Sequence, residues 1–410
     1  MEYGCIGEKL GHSFSKEIHN SLADYAYELR EVKKEELGDF MTEHDFKAIN
    51  VTIPYKEAVI PYLHQTDDAA RAIGAVNTVV NKGGKLYGYN TDFYGMSELI
   101  RHAGIDLHGK KVAILGSGGT SKTARAVSAH LGATEIIRVS RTASDKAVSY
   151  EELYEKHADT EIIINTTPLG MYPDVFGCAV DIDRFPRLSG VIDAVYNPLR
   201  TELISNAKER GIKAEGGLYM LVAQGVRASE IFTDTKYDAS ECERVFKKIE
   251  GQKENVVLTG MPASGKSTVG AILAKRLGVP FIDTDALIEK KIGMSIPEYF
   301  LKFGEAAFRD REEEVIADVS SLTSSVIATG GGAVLRRRNV HNLKKNGKLF
   351  FIDRPLSELI PTADRPLAKN REAIEKRYAE RYGIYCATAD VRIPAECAAE
   401  EVAERIVVKR

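Results

Sequence analysis

The chain has 410 residues, of which 44% are hydrophobic and 28% charged, with a formal net charge of -3. This length predicts two or three domains, and the balance is typical of water-soluble globular proteins. The near-neutral charge gives no reason to expect nucleic acid or a membrane as a partner, and no apolar run approaches the roughly 20 residues that span a bilayer.

The five cysteines form no C-x-x-C pair and no metal-ligand spacing. The pattern favours free thiols in a reducing compartment, so we expect a cytoplasmic protein. Strand-like and helix-like segments alternate through most of the chain, which predicts an α/β fold.

Four polar clusters stand out before residue 100, at residues 11–15, 50–56, 74–78 and 90–95. Each alone is typical of a turn or a helix cap, because Ser, Thr and Asn are frequent there. Their hydroxyls, amides and single charges also suit a small polyhydroxylated ligand.

A dinucleotide-binding unit is predicted next. Apolar strands are expected at 111–115, 135–139, 162–164 and 191–195, and a helix at 121–131. Between the first strand and that helix, residues 116–121 read G-S-G-G-T-S, a glycine turn of the Rossmann type. The second strand is followed by Arg141 rather than by an acidic residue. A guanidinium suits a 2′-phosphate, which favours NADP over NAD.

A phosphate-binding loop occurs later in the chain. Residues 260–267 read G-M-P-A-S-G-K-S, between an expected strand at 256–259 and an expected helix at 268–277. The backbone N–H groups of such a loop bind phosphate oxygens. Lys266 would reach the β- and γ-phosphates, and the Ser267 hydroxyl would bind Mg²⁺.

Several charged side chains follow this loop. The expected strand 281–285 ends in D-T-D, which offers one carboxylate to Mg²⁺ and another to an acceptor hydroxyl. Arg309 and Arg381 follow later in the chain. Each arginine alone would pass for a solvated surface residue.

Residues 1–250 resemble shikimate dehydrogenase, through H-S-x-S, N-V-T-x-P-x-K, A-V-N-T, N-T-D-x-x-G, the glycine turn and a late Q-G. The resemblance implies that Lys56 is the acid/base residue, with Asp92 beside it. It implies a substrate pocket formed by Ser13, Ser15, Thr52, Lys56, Asn77, Asp92, Tyr196 and Gln224. It implies NADP contacts at Asp68, Gly116, Ser117, Gly118, Gly119, Thr120, Ser140, Arg141, Ala194 and Gly217.

Residues 254–410 resemble shikimate kinase, a small P-loop kinase with a parallel sheet and a lid. The resemblance implies that Asp285, Arg309, Gly331 and Arg381 hold shikimate, with Asp285 catalytic, and that Ser267 and Asp283 support Mg²⁺. It implies ATP contacts at Ala263, Ser264, Gly265, Lys266, Ser267, Thr268 and, on the lid, Arg365. The stretch 357–362 is shorter than usual and lacks the family's additional arginine.

Together the two resemblances imply a bifunctional enzyme of the shikimate pathway. NADPH would reduce 3-dehydroshikimate to shikimate, and ATP with Mg²⁺ would phosphorylate the shikimate. We expect a substrate-binding domain at 1–98 and 218–250, a Rossmann domain at 99–217, a linker at 251–255 and a kinase domain at 256–410.

Two alternatives remain open from the sequence. One is a quinate- or NAD-preferring dehydrogenase joined to a kinase for another small polyol. The other is a module that binds ATP or shikimate without turnover and acts as a regulator or scaffold.

Overall fold

Two structural units divide the chain, residues Met1–Glu250 and Gly251–Arg410. The computed structural model describes residues 1–10, 14–144, 146–360 and 370–410. The predicted α/β class is confirmed, since parallel strands alternate with helices in both units. None of the described helices is both long and apolar enough to cross a bilayer. All five cysteines are free thiols.

The first part of unit one is a six-stranded mixed sheet with the strand order β2-β1-β3-β5-β6-β4. Its elements are β1 Tyr3–Gly7, α1 Ser15–His19, β2 Tyr27–Glu31, α2 Leu37–Glu43, β3 Ala48–Val51, β4 Gln65–Thr66, α3 Asp68–Ile73, β5 Thr78–Lys82, β6 Lys85–Tyr89 and α4 Thr91–His102.

The Rossmann-type part follows as a five-stranded parallel sheet with the strand order β11-β10-β9-β7-β8. Its elements are β7 Lys111–Leu115, α5 Gly119–His130, β8 Glu135–Val139, α6 Tyr150–Lys156, β9 Ile162–Asn165, β10 Gly190–Asp193, α7 Glu202–Glu209 and β11 Lys213–Glu215. Helices α8 Leu218–Thr233 and α9 Glu241–Lys253 follow in the chain. The helix predicted at 121–131 begins two residues earlier, because the glycine turn itself enters helical geometry.

Unit two is a five-stranded parallel sheet with the order β13-β14-β12-β15-β16. Its elements are β12 Asn255–Thr259, α10 Lys266–Leu277, β13 Phe281–Asp283, α11 Thr284–Ile292, α12 Ile296–Val319, β14 Val326–Ala328, α13 Arg337–Lys344, β15 Gly347–Asp353, α14 Arg371–Thr388, β16 Val391–Pro394 and α15 Ala399–Lys409.

Other predicted boundaries also differ from the structure, and the strand expected at 191–195 ends at Asp193. Residues 251–253, expected in a linker, form the end of α9, and Asn255 already belongs to β12. The strand expected over 281–285 stops at Asp283, whose carboxylate caps α11 by accepting from the backbone N–H of Asp285 (3.0 Å). Aspartate is a strong N-cap residue, so the helix begins there and Asp285 lies in its first turn.

Buried aliphatic side chains fill both faces of the two parallel sheets. In unit one Ile114, Ile164 and Ile192 are fully buried on one face, while Ile163 and Val191 are buried on the other. Each such side chain contributes roughly 1.5–3 kcal/mol of hydrophobic stabilisation. The rigid sheets therefore hold the loops at their carboxyl edges, where ligands bind in open α/β sheets.

Candidate active sites

An ion pair stands at the centre of the cleft in unit one. Lys56 follows the end of β3, and its Nζ donates to Asp92 Oδ2 at 2.6 Å. Asp92 lies in the first turn of α4, whose N-terminus is capped by Asn90. That position stabilises a carboxylate, because the helix dipole is positive there. The side chains are 25% and 10% exposed, so the pair is sheltered yet reachable by a ligand.

An amide network borders this ion pair. Asn77 Oδ1 accepts from the backbone N–H of Thr91 at 2.8 Å, and its Nδ2 donates to Gln224 Oε1 at 3.3 Å. Gln224 lies on α8, which approaches α4 closely because Gly95 has no side chain. A Cβ at Gly95 would lie 2.7 Å from the carbonyl oxygen of Met220. Helix packing thus brings amides and the ion pair to one wall.

The cleft has a volume of about 490 Å³. It brings together predicted substrate and cofactor residues from distant parts of unit one. The lining includes Ser15, Thr52, Lys56, Asn77, Asp92, Thr120, Ala194, Tyr196, Gly217 and Gln224. Gly217 packs directly on Ala194, since a Cβ at Gly217 would lie 2.2 Å from the carbonyl oxygen of Ala194.

Two further titratable residues line this cleft. Burial lowers the pKa of His19 to about 3, and burial raises the pKa of the Cys5 thiol to about 12. His19 Nδ1 lies 2.6 Å from the Tyr25 hydroxyl, and its ring stacks on Tyr27. Both groups are therefore uncharged near neutral pH.

The glycine turn after β7 suits a dinucleotide. Apart from the adjoining backbone, no atom of the described residues lies within 4 Å of a Cβ placed on Gly118 or Gly119, so the backbone there is open to a ligand. Helix α5 begins at Gly119, and its N-terminal N–H groups favour a pyrophosphate. Ser140 and the exposed Arg141 follow β8, where an arginine suits a 2′-phosphate. The residues present thus fit NADP.

In unit two the loop after β12 has the backbone of an anion-binding site. Ala263 and Gly265 have positive φ angles of 65° and 92°, which curve successive N–H groups around a concave surface. Lys266 begins α10, and its Nζ donates to the carbonyl oxygens of Gly260 and Met261 at 2.9 Å each. The lysine ammonium is thereby held across the loop.

The predicted magnesium ligands lie next to this loop. Ser267 Oγ donates to Asp283 Oδ2 at 2.6 Å. Among the described residues no three His, Cys, Asp or Glu side chains form a metal cage. Mg²⁺ at nucleotide sites takes few protein ligands and completes its shell with water and phosphate oxygens. The Ser267 and Asp283 oxygens fit that mode of binding.

Two buried arginines face the same cavity of about 670 Å³. Arg309 Nη1 donates to Glu312 Oε2 at 2.7 Å, and Nη2 donates to Glu305 Oε1 at 3.0 Å. Arg381 Nη1 donates to the carbonyl oxygen of Gly331 at 3.2 Å. The cavity therefore offers two guanidinium groups to an anionic ligand.

The glycines after β14 allow these side chains to converge. A Cβ at Gly332 would lie 2.0 Å from Arg309 Nη1. At Gly330 it would lie 2.6 Å from Asp285 Oδ1 and 2.8 Å from Glu312 Oε1. Burial raises the pKa of Glu312 above its ordinary value, and the neighbouring Asp285 adds to this shift, while Arg309 opposes it. The glycine loop thus leaves room for the acid and arginine side chains, because its residues have no side chains.

Comparison with known proteins assigns both units. The family model of the shikimate dehydrogenase substrate binding domain matches residues 5–79, and that of shikimate kinase matches residues 262–409. The shikimate dehydrogenase (NADP(+)) of Clostridium perfringens is 39% identical over 266 residues, which cover 60% of this chain and 98% of that protein.

The chain belongs to the shikimate dehydrogenase family.

Its second unit carries a shikimate kinase domain, so the chain combines two enzymes of the shikimate pathway. Solved structures agree for the dehydrogenase unit. Shikimate dehydrogenase 1 from Peptoclostridium difficile matches with a TM-score of 0.56 and 36% identity, over 61% of this chain and 98% of that one. A chorismate mutase/shikimate 5-dehydrogenase fusion from Clostridium acetobutylicum matches with a TM-score of 0.57 and 34% identity, over 61% and 97%.

A third solved structure bears on the ligands. Shikimate 5-dehydrogenase from Thermus thermophilus, in complex with NADP(H) and shikimate, has a TM-score of 0.55 and 28% identity, over 60% of this chain and 99% of that one. NADP is the cofactor named for these relatives, and the kinase domain uses ATP.

Several predicted residues fall outside the two cavities. Asp68 is exposed at the start of α3 and pairs with Arg71 at 3.1 Å, away from the cleft lining. Ser264 is fully buried and does not line the kinase cavity, unlike its neighbours in the loop. Ser13 and Arg365 lie outside the described residues. The remaining kinase residues line the cavity: Ala263, Gly265, Lys266, Ser267, Thr268, Asp283, Asp285, Arg309, Gly331 and Arg381.

The structure also adds residues that sequence reasoning missed. Glu312 pairs with Arg309 one helical turn away, and the i,i+3 spacing of opposite charges could have indicated it. His19 lies one turn after Ser15 on α1, but a lone histidine carries no such signal. Glu289 and Phe300 also line the kinase cavity, and neither belongs to a motif of polar residues.

Proposed function

We propose that this chain catalyses two consecutive reactions, reduction of 3-dehydroshikimate to shikimate and phosphorylation of the shikimate 3-hydroxyl. The kinase half is carried by one observation. A single cavity is lined by the P-loop residue Lys266, the acid Asp285 and the two arginines Arg309 and Arg381. That set suits a phosphoryl donor beside a hydroxylated carboxylate.

In the dehydrogenase unit, NADPH supplies a hydride when it is bound. Lys56 donates a proton to the substrate's carbonyl oxygen as this oxygen becomes a hydroxyl. Asp92, 2.6 Å from the lysine, keeps the ammonium pointed at the cleft and accepts a hydrogen bond from a substrate hydroxyl. Asn77 and Gln224 bind further hydroxyls, and Ser15, which also lines the cleft, binds the substrate's carboxylate.

In the kinase unit, ATP supplies the γ-phosphoryl group when it is bound. Lys266 and the loop's N–H groups neutralise the phosphate charge, and Ser267 with Asp283 would hold Mg²⁺. Asp285 accepts the proton of the attacking hydroxyl. Arg309 and Arg381 fix the carboxylate of shikimate, so that the hydroxyl faces the phosphate. The cytoplasmic location predicted from the sequence stays a prediction.

A coupled assay tests the whole proposal. The purified full chain is given 3-dehydroshikimate, NADPH, ATP and Mg²⁺, and NADPH oxidation and ADP formation are followed together with the product's mass. We expect shikimate 3-phosphate. Accumulation of shikimate without ATP use would contradict the kinase half, and no NADPH oxidation would contradict the dehydrogenase half. Omission of each nucleotide in turn is the control.

A further inference from the structure

Arg354 lies at the edge of the kinase sheet, next to the P-loop. It is the first residue after β15, and β15 pairs in parallel with β12, the strand that leads into the loop. Parallel strands present their carboxyl ends at the same edge of a sheet. The pairing of β15 with β12 therefore places Arg354 next to the start of the P-loop.

Its guanidinium contacts the loop directly. Arg354 Nε donates to the carbonyl oxygen of Ser264 at 3.3 Å. Its Nη2 is the nearest atom to a Cβ placed on Gly265, at 3.9 Å. These two residues immediately precede Lys266, the first residue of α10. The cationic group is thus within a few ångströms of the helix terminus that would receive phosphates.

The position is electrostatically unusual for an arginine. The N-terminus of α10 carries a partial positive charge, and cations are disfavoured there. Lys266 adds a full positive charge at the same terminus. Among the residues that the structure describes, Arg354 pairs with Glu358, whose Oε2 lies 2.9 Å from Arg354 Nη1.

This ion pair offsets little of the repulsion between Arg354 and the N-terminus of α10. Glu358 is 40% exposed, and partly exposed i,i+4 pairs contribute little stability. The arginine itself is 19% exposed, so its stem is packed while its head stays near the loop. A polyphosphate at the loop would place negative charge beside the Arg354 guanidinium.

We propose that Arg354 is an additional ATP-binding residue of the kinase domain, which contacts a phosphate of the nucleotide held by the P-loop. This inference rests on the proposed kinase function and extends it to a residue outside the loop and its cavity. A guanidinium donates up to five hydrogen bonds, and Ser264 and Glu358 use two of its N–H groups, so donors remain for phosphate oxygens.

The test compares the affinities of the full chain for ATP and for inorganic tripolyphosphate, both with Mg²⁺, by titration calorimetry. Loss of a charge-assisted hydrogen bond predicts that Arg354→Met weakens the binding of both ligands about tenfold. Arg354→Lys should recover part of this loss. Arg405→Met, which removes an arginine paired with Glu401 on α15 at 2.7 Å, should leave both affinities unchanged.

A second variant separates ligand binding from a structural role. If Arg354 served merely to hold Glu358, Glu358→Gln would reproduce the defect of Arg354→Met. The proposal expects Glu358→Gln to bind ATP as tightly as the parent or more tightly. Unchanged ATP affinity in Arg354→Met overturns the inference, as does weaker binding of ATP with normal binding of tripolyphosphate, which would indicate contact with the base.

Failure of the proposed function would look different. A parent chain that binds neither ATP nor tripolyphosphate contradicts the kinase assignment itself. A parent chain that phosphorylates shikimate, with an Arg354→Met variant of equal ATP affinity, contradicts this inference alone.

Discussion

Lys56 Nζ and Asp92 Oδ2 lie 2.6 Å apart, although 36 residues separate them in the chain. One side chain comes from the loop after an inner strand of the mixed sheet, and the other comes from the N-terminal turn of α4.

The first prediction concerns this pair. Lys56→Met should lower kcat of ketone reduction by about 10²–10⁴-fold, because the proton donor is removed.

The measurement is NADPH oxidation with 3-dehydroshikimate, with ADP formation from added shikimate as the internal control. The kinase rate should not change. Lys47→Met, which removes a surface lysine paired with Glu2 at 3.0 Å, is the matched control. A normal reduction rate in Lys56→Met would rule out the acid/base role.

The second prediction concerns cofactor choice at Arg141. Arg141→Ala should raise KM for NADPH roughly tenfold or more, since a charge-assisted hydrogen bond to phosphate is worth about 1.5–3 kcal/mol. KM for NADH should stay the same, because NADH has no 2′-phosphate. The two KM values are measured side by side on each protein. An equal rise in KM for NADPH and for NADH would mean that Arg141 does not bind the 2′-phosphate.

The third prediction concerns the close approach of Gly332 to Arg309. Gly332→Ala should abolish shikimate phosphorylation, because the new methyl group would displace the guanidinium that it would otherwise meet at 2.0 Å. Dehydrogenase activity should remain. Gly383→Ala is the matched control, since Gly383 lies in α14 and, in the described part of the chain, no atom beyond the helix's own neighbouring backbone lies within 4 Å of an added Cβ. Shikimate turnover by Gly332→Ala at the parent rate would contradict this geometry.

The fourth prediction concerns pH. Asp193 is fully buried, and burial raises its pKa from 3.8 to about 6, opposed by hydrogen bonds from Thr201, Val195 and Asn165. Between about pH 4 and pH 6 the folded state therefore binds more protons than the unfolded state. The contribution of Asp193 to the free energy of unfolding thus decreases as pH rises through this window, by ~3 kcal/mol.

Scanning calorimetry of the parent chain and of Asp193→Asn between pH 4 and pH 7.5 measures this effect. The Tm of the parent relative to that of the variant should fall as pH rises. A difference in Tm that is the same at every pH would show that Asp193 does not titrate in this window. The comparison cancels all other titrating groups that the two proteins share.

The parts of the two sites that consist of consecutive residues could be predicted from the sequence. The P-loop is eight consecutive residues between a strand and a helix, so its local chemistry identifies it without tertiary information. The glycine turn at 116–121 and the arginine after β8 are local in the same sense. The α/β class follows from the alternation of strands and helices, and the structure confirms it.

Other features depend on residues that meet only after folding. His19 could not be predicted as a lining residue, because a lone ring on a helix does not indicate which wall it will line. Sequence reasoning placed Asp285 in a strand, whereas capping by Asp283 starts the helix and turns Asp285 toward Gly330. The strand pairing that carries Arg354 to the loop likewise has no local signal.

The sequence by itself determined the two enzyme families, the nucleotide loops and most candidate ligands of the two substrates. These depend on short motifs whose chemistry is the same in any context that supplies a strand and a helix. Tertiary structure alone decided which acids and bases share a cavity, and therefore their charge near neutral pH. The physical reason is that burial and ion pairing are set by long-range packing, here of α4 against α8 and of α12 against the loop at 330–332.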